Sequence, residues 1–336
     1  MQLLELFQDL ENITIHGSGD VAVGNVCDDS RCVKTGDVFV AVKGMTTDGH
    51  RYISKVLEQG AAAVVVEGEE HVIADAGATF VVVANSAVAL GQLAARASGR
   101  ACDQMKMVGI TGTNGKTTTT YLIEAMLNAA SFKPGTLGTV NYRYGDVSKA
   151  APYTTPTPLV LHGVLREMAD AECTHSVMEI SSAALSMERM AGVKVNVAAF
   201  SNLTQDHLDL HGSMEEYAAA KMLLFSEHLH GDGVAVVNVD DPFGEHMAEA
   251  AGDRRVLRVS VSNKDADIYA GDFESTIDGI RATIMTPSGT FEIVSGALLG
   301  LYNLANILLT VGIGEALGVS HADIARGISN MSGVPG

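Results

Sequence analysis

Short apolar runs, bounded by glycine and polar turns, alternate along most of the chain with segments whose apolar positions recur at helical spacing. Residues 38–42, 61–66 and 79–84 read as strands, 48–60 as a turn followed by a helix, and 86–97 as a helix. Residues 98–104 lead into a second series, with strands at 105–110, 176–180, 195–200 and 233–237 and a helix at 118–127. Alternation sustained over this length predicts a mostly parallel sheet. The texture changes over 265–294, which reads as a β meander with hairpin turns. Residues 300–314 and 321–331 return to helix. The expected class is α/β. A small amino-terminal α/β domain at 1–97 precedes a central, mostly parallel-sheet domain at 98–333 that carries a small added meander.

The stretch MVGITGTNGKTTTT, residues 107–120, sets the chemistry. Strand, glycine-rich turn and helix follow one another, which is the context a phosphate-binding loop needs. Gly112 and Gly115 allow a sharp turn, so that the amides from Gly112 through Thr113, Asn114 and Gly115 to Thr118 can face an anion. The helix that follows offers free N–H groups and its positive end. Lys116 can neutralise β/γ phosphate oxygens, and Thr117 can give a hydroxyl to Mg²⁺. One position departs from G-x-x-x-x-G-K-[ST]: its first glycine falls on Ile110, with Gly109 and Gly112 on either side.

Polar residues collect where later strands end, the place where open α/β sheets hold ligands. Glu179 closes one strand and is either a magnesium ligand or an acid at a helix N-terminus. Asp206, His207, Asp209 and His211 crowd together after the next strand and point to a metal or phosphate site, with a donor set suited to Mg²⁺ or Mn²⁺ rather than structural zinc. The following helix opens on a capping box, Ser213 and Glu216. Lys221 shares a face of it with Tyr217 and Phe225. It either snorkels to solvent or is held near metal with a depressed pKa. A neutral amine can take up CO₂ as a carbamate and become an anionic ligand. Asn303 and Asn306 either read an adenine edge or start a helix. Arg189 grips a carboxylate or is an ordinary solvated arginine. Thr154 and Thr155 form a polar loop. Asp29, Ser30 and Arg31 form another, which by its chemistry alone reads first as a capped surface turn.

Composition narrows the partners. With 336 residues, 47% hydrophobic and 18% charged, the chain can bury a sizeable core, and its length suits about two domains. Lys+Arg 22 against Asp+Glu 40 gives a net charge of −18, which argues against nucleic acid as the main partner. No run of apolar residues is long enough for a membrane span, and no leader pattern opens the sequence. Cys27, Cys32, Cys102 and Cys173 form no C-x-x-C pair, so reduced thiols in the cytoplasm are expected.

DSRCVKTGDVFVAVKG, GITGTNGKTTTT, GTLGT, TTP, MEISS, NLTQDHLDLHGSMEEYAAAK, VNVDDP and GLYNLAN follow one another through nearly the whole chain. Together they resemble the Mur ligases. The likeness is greatest to the MurE branch, which adds the third peptide residue to UDP-N-acetylmuramoyl-L-alanyl-D-glutamate. The resemblance implies an ATP-dependent acid–amino-acid ligase of peptidoglycan precursor synthesis, working as a cytoplasmic monomer. It implies that Ser30 and the amino-terminal domain bind the uridine end of the substrate, and that residues 112–118 cradle ATP. Thr117 and Glu179 would hold one Mg²⁺, and Glu179, His207 and a carbamylated Lys221 a second. Thr154, Thr155, Ser181 and Arg189 would touch the sugar peptide, and Asn303 and Asn306 the adenine. The γ-phosphoryl group would pass to the substrate carboxylate. The incoming amine, meso-diaminopimelate by family frequency, would then displace phosphate.

Ala183, Met187 and Tyr153 depart from residues usual in that branch, which puts the grip on substrate in question. Family members carry a further carboxyl-terminal domain that holds the incoming amino acid. Without it, the 336-residue chain is expected to ligate weakly or not at all. Two other readings remain. One is a related ligase of the folylpolyglutamate or cyanophycin synthetase type, against which the Ser30 loop weighs. The other is a P-loop module that binds nucleotide or UDP-sugar without catalysis.

Overall fold

The computed structural model describes residues 1–44, 47–206 and 208–334, with Leu208 described by its backbone alone. The chain divides into two compact units. The first holds residues 1–102, 157–166 and 187–193, and the second residues 103–156, 167–186 and 194–336.

In the first unit, β1 (Thr14–His16), β2 (Val26–Cys27), β3 (Val38–Val40), β4 (Ala63–Glu67) and β5 (Thr79–Val83) form a sheet in the order β1-β5-β4-β3-β2. Only β1 runs antiparallel to its neighbour. Val38, Val40, Val65 and Val81 are buried on one face, Phe39, Val64 and Phe80 on the other. A parallel strand covered on both sides needs such continuous apolar runs. Asn85 caps the helix Ser86–Ala97, accepting from the N–H groups of Ala87 and Val88. That helix approaches Ala191 so closely that a Cβ on Gly91 would lie 2.4 Å from the Ala191 carbonyl oxygen. His162 Nε2 lies 3.1 Å from the same oxygen, which ties residues 157–166 and 187–193 into this unit.

The second unit is built on eleven strands: β6 (Lys106–Thr111), β7 (Pro134–Leu137), β8 (Asn141–Tyr144), β9 (Val147–Ala150), β10 (His175–Glu179), β11 (Val195–Phe200), β12 (Leu229–Asn238), β13 (Arg255–Ser260), β14 (Ile268–Thr276), β15 (Gly279–Thr286) and β16 (Gly289–Ser295). Their order is β16-β15-β14-β13-β12-β11-β6-β10-β7-β8-β9. Strands β7, β10, β6, β11, β12, β13 and β14 run parallel, and antiparallel hairpins close both edges. The expected meander is the β14–β16 edge of this same sheet. The hairpin β8–β9 at the other edge has a wholly exposed outer strand, and no apolar alternation announced it.

Helix Lys116–Ala129 lies on β6 and buries Leu122, Ile123, Met126 and Leu127. Each such side chain contributes about 1.5–3 kcal/mol. It starts two residues earlier than the pattern predicted, because Gly115 turns left-handed (φ +86°) and delivers Lys116 and Thr117 directly into the first turn. Helices Leu301–Leu317 and His321–Asn330 complete that face of the core. Among the described residues no helix is long and apolar enough to cross a membrane.

His175, at the start of β10, is buried against Phe132. Burial, then the Lys106 charge, hold its pKa down at about 4 against an ordinary 6.5. Between those values the unfolded chain binds a proton that the folded ring refuses, so stability falls as pH drops through that window. Thermal melts at pH 7 and pH 5 should show a larger loss for the wild type than for His175→Phe. Equal losses would remove the assignment.

Candidate active site

The loop from β6 to the helix at Lys116 is held from outside by the segment after β11. Thr113 N–H donates to the Asn202 carbonyl (2.8 Å), and Asn114 N–H to Asn202 Oδ1 (3.0 Å). Ser201 Oγ donates to the Asn114 carbonyl (2.6 Å). Asn238, at the end of β12, donates in turn to the Ser201 carbonyl (2.7 Å). The ends of two further strands thus fix one loop. Lys116 folds back over it, its Nζ donating to the carbonyls of Gly112 (2.7 Å) and Thr113 (2.9 Å). Burial pulls the Lys116 pKa down, while Glu179 and Asp206 oppose that shift.

Glu179 ends β10 and is 2% exposed. A buried carboxylate needs partners, and it has them. The Thr117 hydroxyl donates to Oε2 (3.0 Å), the Thr139 hydroxyl to Oε2 (2.9 Å) and the Thr139 N–H to Oε1 (3.1 Å). The carboxylate therefore faces the first turn of the Lys116 helix and the turn after β7, not the N-terminus of its own following helix (Ser182–Ser186). Gly138 makes the room, since a Cβ there would stand 2.2 Å from Glu179 Oε1. Thr139 Oγ1 also meets Thr154 Oγ1 (3.1 Å). Thr155 donates from Oγ1 to the Glu179 carbonyl (2.9 Å) and accepts from the Ser181 N–H (3.0 Å), with Ser181 Oγ 3.5 Å away.

Lys221, on the helix Met214–Ser226, is 1% exposed and does not reach solvent. Its Nζ lies 4.3 Å from the centre of the Tyr217 ring. Burial, then the Lys116 charge, lower its pKa to about 6, against the pull of Asp206. An amine in that range is largely neutral at pH 7. His211 stacks on the same tyrosine (centroids 5.0 Å apart) and lies 2.9 Å from Ser182 Oγ. His207 lies outside the described residues. Among those described, no group of three or more His, Cys, Asp or Glu side chains is arranged to hold a metal ion. Thr117 and Glu179 nonetheless supply adjacent oxygen donors. That chemistry fits Mg²⁺, which takes one or two protein oxygens and completes its shell with phosphate and water.

Beside the loop lies a cavity of about 650 Å³, lined by Asn114, Gly115, Asn202, Asp241, Tyr302 and Asn306 among others. Asn306 points at Gly115, where a Cβ would stand 2.3 Å from its Oδ1. Asn303 does not line the cavity. It accepts from Asn306 Nδ2 (3.3 Å) and donates to the Leu299 carbonyl (2.8 Å), so it braces its neighbour. Tyr302, 89% exposed, forms an aromatic wall that the sequence reading did not name.

In the first unit, Ser30 is buried, with Lys55 Nζ 3.5 Å from its hydroxyl. Its loop is pinned by Asp37, which accepts from the N–H groups of Asn25 (2.8 Å) and Lys34 (2.9 Å). The hydrogen-bonded Arg31 guanidinium lowers the Asp29 pKa. Burial, with Asp37 beside it, pushes the Cys27 thiol up to about 11. Arg189 also belongs to this unit, its Nη2 lying 3.6 Å from Met187 Sδ.

The family model described as "Mur ligase middle domain" matches residues 110–314, and "Mur ligase family, catalytic domain" matches residues 23–98. The chain belongs to the Mur ligase family. Among Mur ligases, the UDP-N-acetylmuramoyl-L-alanyl-D-glutamate–2,6-diaminopimelate ligase of Geobacter sulfurreducens is 39% identical over 341 residues, 100% of this chain and 66% of the relative. The enzyme of that name from Bacillus licheniformis is 38% identical over 343 residues, with 100% and 69% covered. A solved structure carrying the same ligase name superposes with a TM-score of 0.85 at 26% identity, covering 100% of this chain and 68% of that one. MurF from Acinetobacter baumannii gives a TM-score of 0.67 at 26% identity, with 100% and 68% covered. The chain spans about two thirds of the length of these Mur ligases.

Proposed function

We propose that this chain forms the nucleotide-binding and UDP-sugar-binding parts of an ATP-dependent acid–amino-acid ligase. The enzyme would add a third residue, meso-diaminopimelate, to UDP-N-acetylmuramoyl-L-alanyl-D-glutamate in the cytoplasm, as a monomer. The observation that carries the reading is the buried Glu179 carboxylate hydrogen-bonded to the Thr117 hydroxyl at the mouth of the glycine-rich loop. The names of relatives matched along the whole chain supply the substrate.

On this reading residues 1–97 bind the UDP-linked substrate through Ser30, and residues 98–333 bind ATP. The amides of Gly112, Thr113, Asn114, Gly115 and Thr118 cradle phosphates, and Asn303 and Asn306 serve the adenine side. Thr154, Thr155, Ser181 and Arg189 orient the sugar peptide. A substrate carboxylate oxygen attacks the γ-phosphorus of ATP as the bond to ADP breaks, giving an acyl phosphate. The amine of the incoming amino acid attacks the acyl carbon, phosphate leaves, and the amine gives up a proton. Lys116 releases the loop carbonyls and stands between the two anions, lowering the cost of their approach. Thr117 and Glu179 would hold one Mg²⁺, and Glu179, His207 and Lys221 a second. When bound, these ions neutralise phosphate charge. The depressed pKa of Lys221 leaves a free amine able to add CO₂, and the carbamate would be its metal-binding form.

Titration calorimetry tests the reading. UDP-N-acetylmuramoyl-dipeptide should bind, folate should not, and ATP should bind more tightly with Mg²⁺. Binding of folate in place of the UDP-linked dipeptide would overturn it in favour of the folylpolyglutamate type.

A further inference from the structure

We propose that Tyr217 is a positioning residue, which locks the phosphate loop to the helix carrying Lys221. The inference rests on the nucleotide-binding reading above. Tyr217 is 1% exposed and touches three parts of the site at once. Its hydroxyl lies 3.2 Å from Thr113 Oγ1, inside the loop. One turn along its own helix, Lys221 Nζ lies 4.3 Å from its ring centre. His211, hydrogen-bonded to Ser182 Oγ three residues past Glu179, stacks on the ring at 5.0 Å and an interplanar angle of 27°.

Core packing would account for the buried ring but not for the hydroxyl. A phenol could have met any backbone carbonyl; this one meets Thr113, a side chain of the loop that must hold phosphate, and is hydrogen-bonded to Ser182 as well. Thr113 is further fixed by Thr204, whose N–H donates to Thr113 Oγ1 (3.1 Å) and whose carbonyl accepts from it (3.2 Å). The loop's shape is thus set by contacts from the Tyr217 helix and from the segment after β11. Loop amides pre-set in direction bind an anion without the cost of ordering them. Loss of the phenol hydroxyl should therefore appear in nucleotide affinity.

The test is ATP binding with Mg²⁺, measured by calorimetry on the whole chain for wild type, Tyr217→Phe, Thr113→Val and the double variant. Tyr217→Phe keeps the ring, its stack on His211 and its face toward Lys221. One hydrogen bond is worth roughly a fivefold change in affinity, so Tyr217→Phe should weaken ATP binding about fivefold. In the Thr113→Val background the same exchange should cost clearly less than it does in the wild type, the remainder being the hydroxyl's bond to Ser182. Apo melting curves decide whether the effect is general: a positioning role leaves the Tyr217→Phe midpoint near wild type while affinity drops. Wild-type affinity in Tyr217→Phe, or full additivity in the double variant, overturns the proposal and leaves the nucleotide-binding reading intact. A wild type that binds no ATP overturns both.

Discussion

Exchange of Glu179 for glutamine is expected to abolish the gain in ATP affinity that Mg²⁺ confers, a loss of about 100-fold, while the fold survives. The variant is nearly isosteric. The Thr117 and Thr139 hydroxyls can rotate to accept from an amide as readily as they donate to a carboxylate. Only the Thr139 N–H needs an acceptor, and the amide oxygen provides one. What disappears is the negative charge, in a site 2% exposed where water cannot substitute for it. Binding of ATP with and without Mg²⁺, for wild type and Glu179→Gln, checks this. A variant that keeps the wild-type response to the metal would remove Glu179 from the site and withdraw the main support for the proposed function.

The reach of the sequence differs between parts of this site for a physical reason. The phosphate loop is contiguous. Its turn glycines, its lysine and its threonines declare themselves through spacing alone, and the helix, expected over 118–127, runs two residues further at each end, Lys116–Ala129. The ends of β10 and β11 stood out as well, because a buried parallel strand is an unbroken apolar run and the first polar residue after it is conspicuous. Contacts between distant segments leave no such mark. Thr117 and Glu179 are 62 positions apart, and Thr139 and Glu179 are 40 apart. Nothing in GTLGT says that Gly138 is small in order to admit a carboxylate. Tyr217 read as an apolar helix position, and its hydroxyl acquires meaning only from Thr113, 104 residues away. Tyr302 passed unnoticed because an exposed aromatic beside two asparagines carries no periodicity. Asn303 and Asn306 look equivalent in GLYNLAN, yet one lines the cavity and the other braces it. Helical spacing makes them neighbours but cannot say which faces the ligand.

Lys221→Met is expected to make the protein more stable while removing a proposed metal ligand. In the fold the amine has a pKa of about 6, against 10.5 for an ordinary lysine, because burial and the Lys116 charge disfavour the ammonium. The unfolded chain therefore binds the extra proton throughout that interval, and stability conferred by this residue rises with pH. The penalty is full below pH 6, shrinks through the window and vanishes above 10.5. At about 1.4 kcal/mol per pH unit it amounts to roughly 5 kcal/mol at pH 7. Methionine has similar length, no charge and a thioether suited to the Tyr217 face. Denaturant unfolding in CO₂-free buffer isolates the free amine from any carbamate. Lys221→Met should exceed the wild type by several kcal/mol at pH 7, and the gap should close toward pH 10.5. A constant gap across that range would mean that the lysine is not held neutral. A residue that costs the fold this much, over the face of a tyrosine ring and repelled by a second lysine, is one for which packing gives no account. The proposed chemistry does, since only a neutral amine can add CO₂ and change from a repelled cation into an anionic ligand.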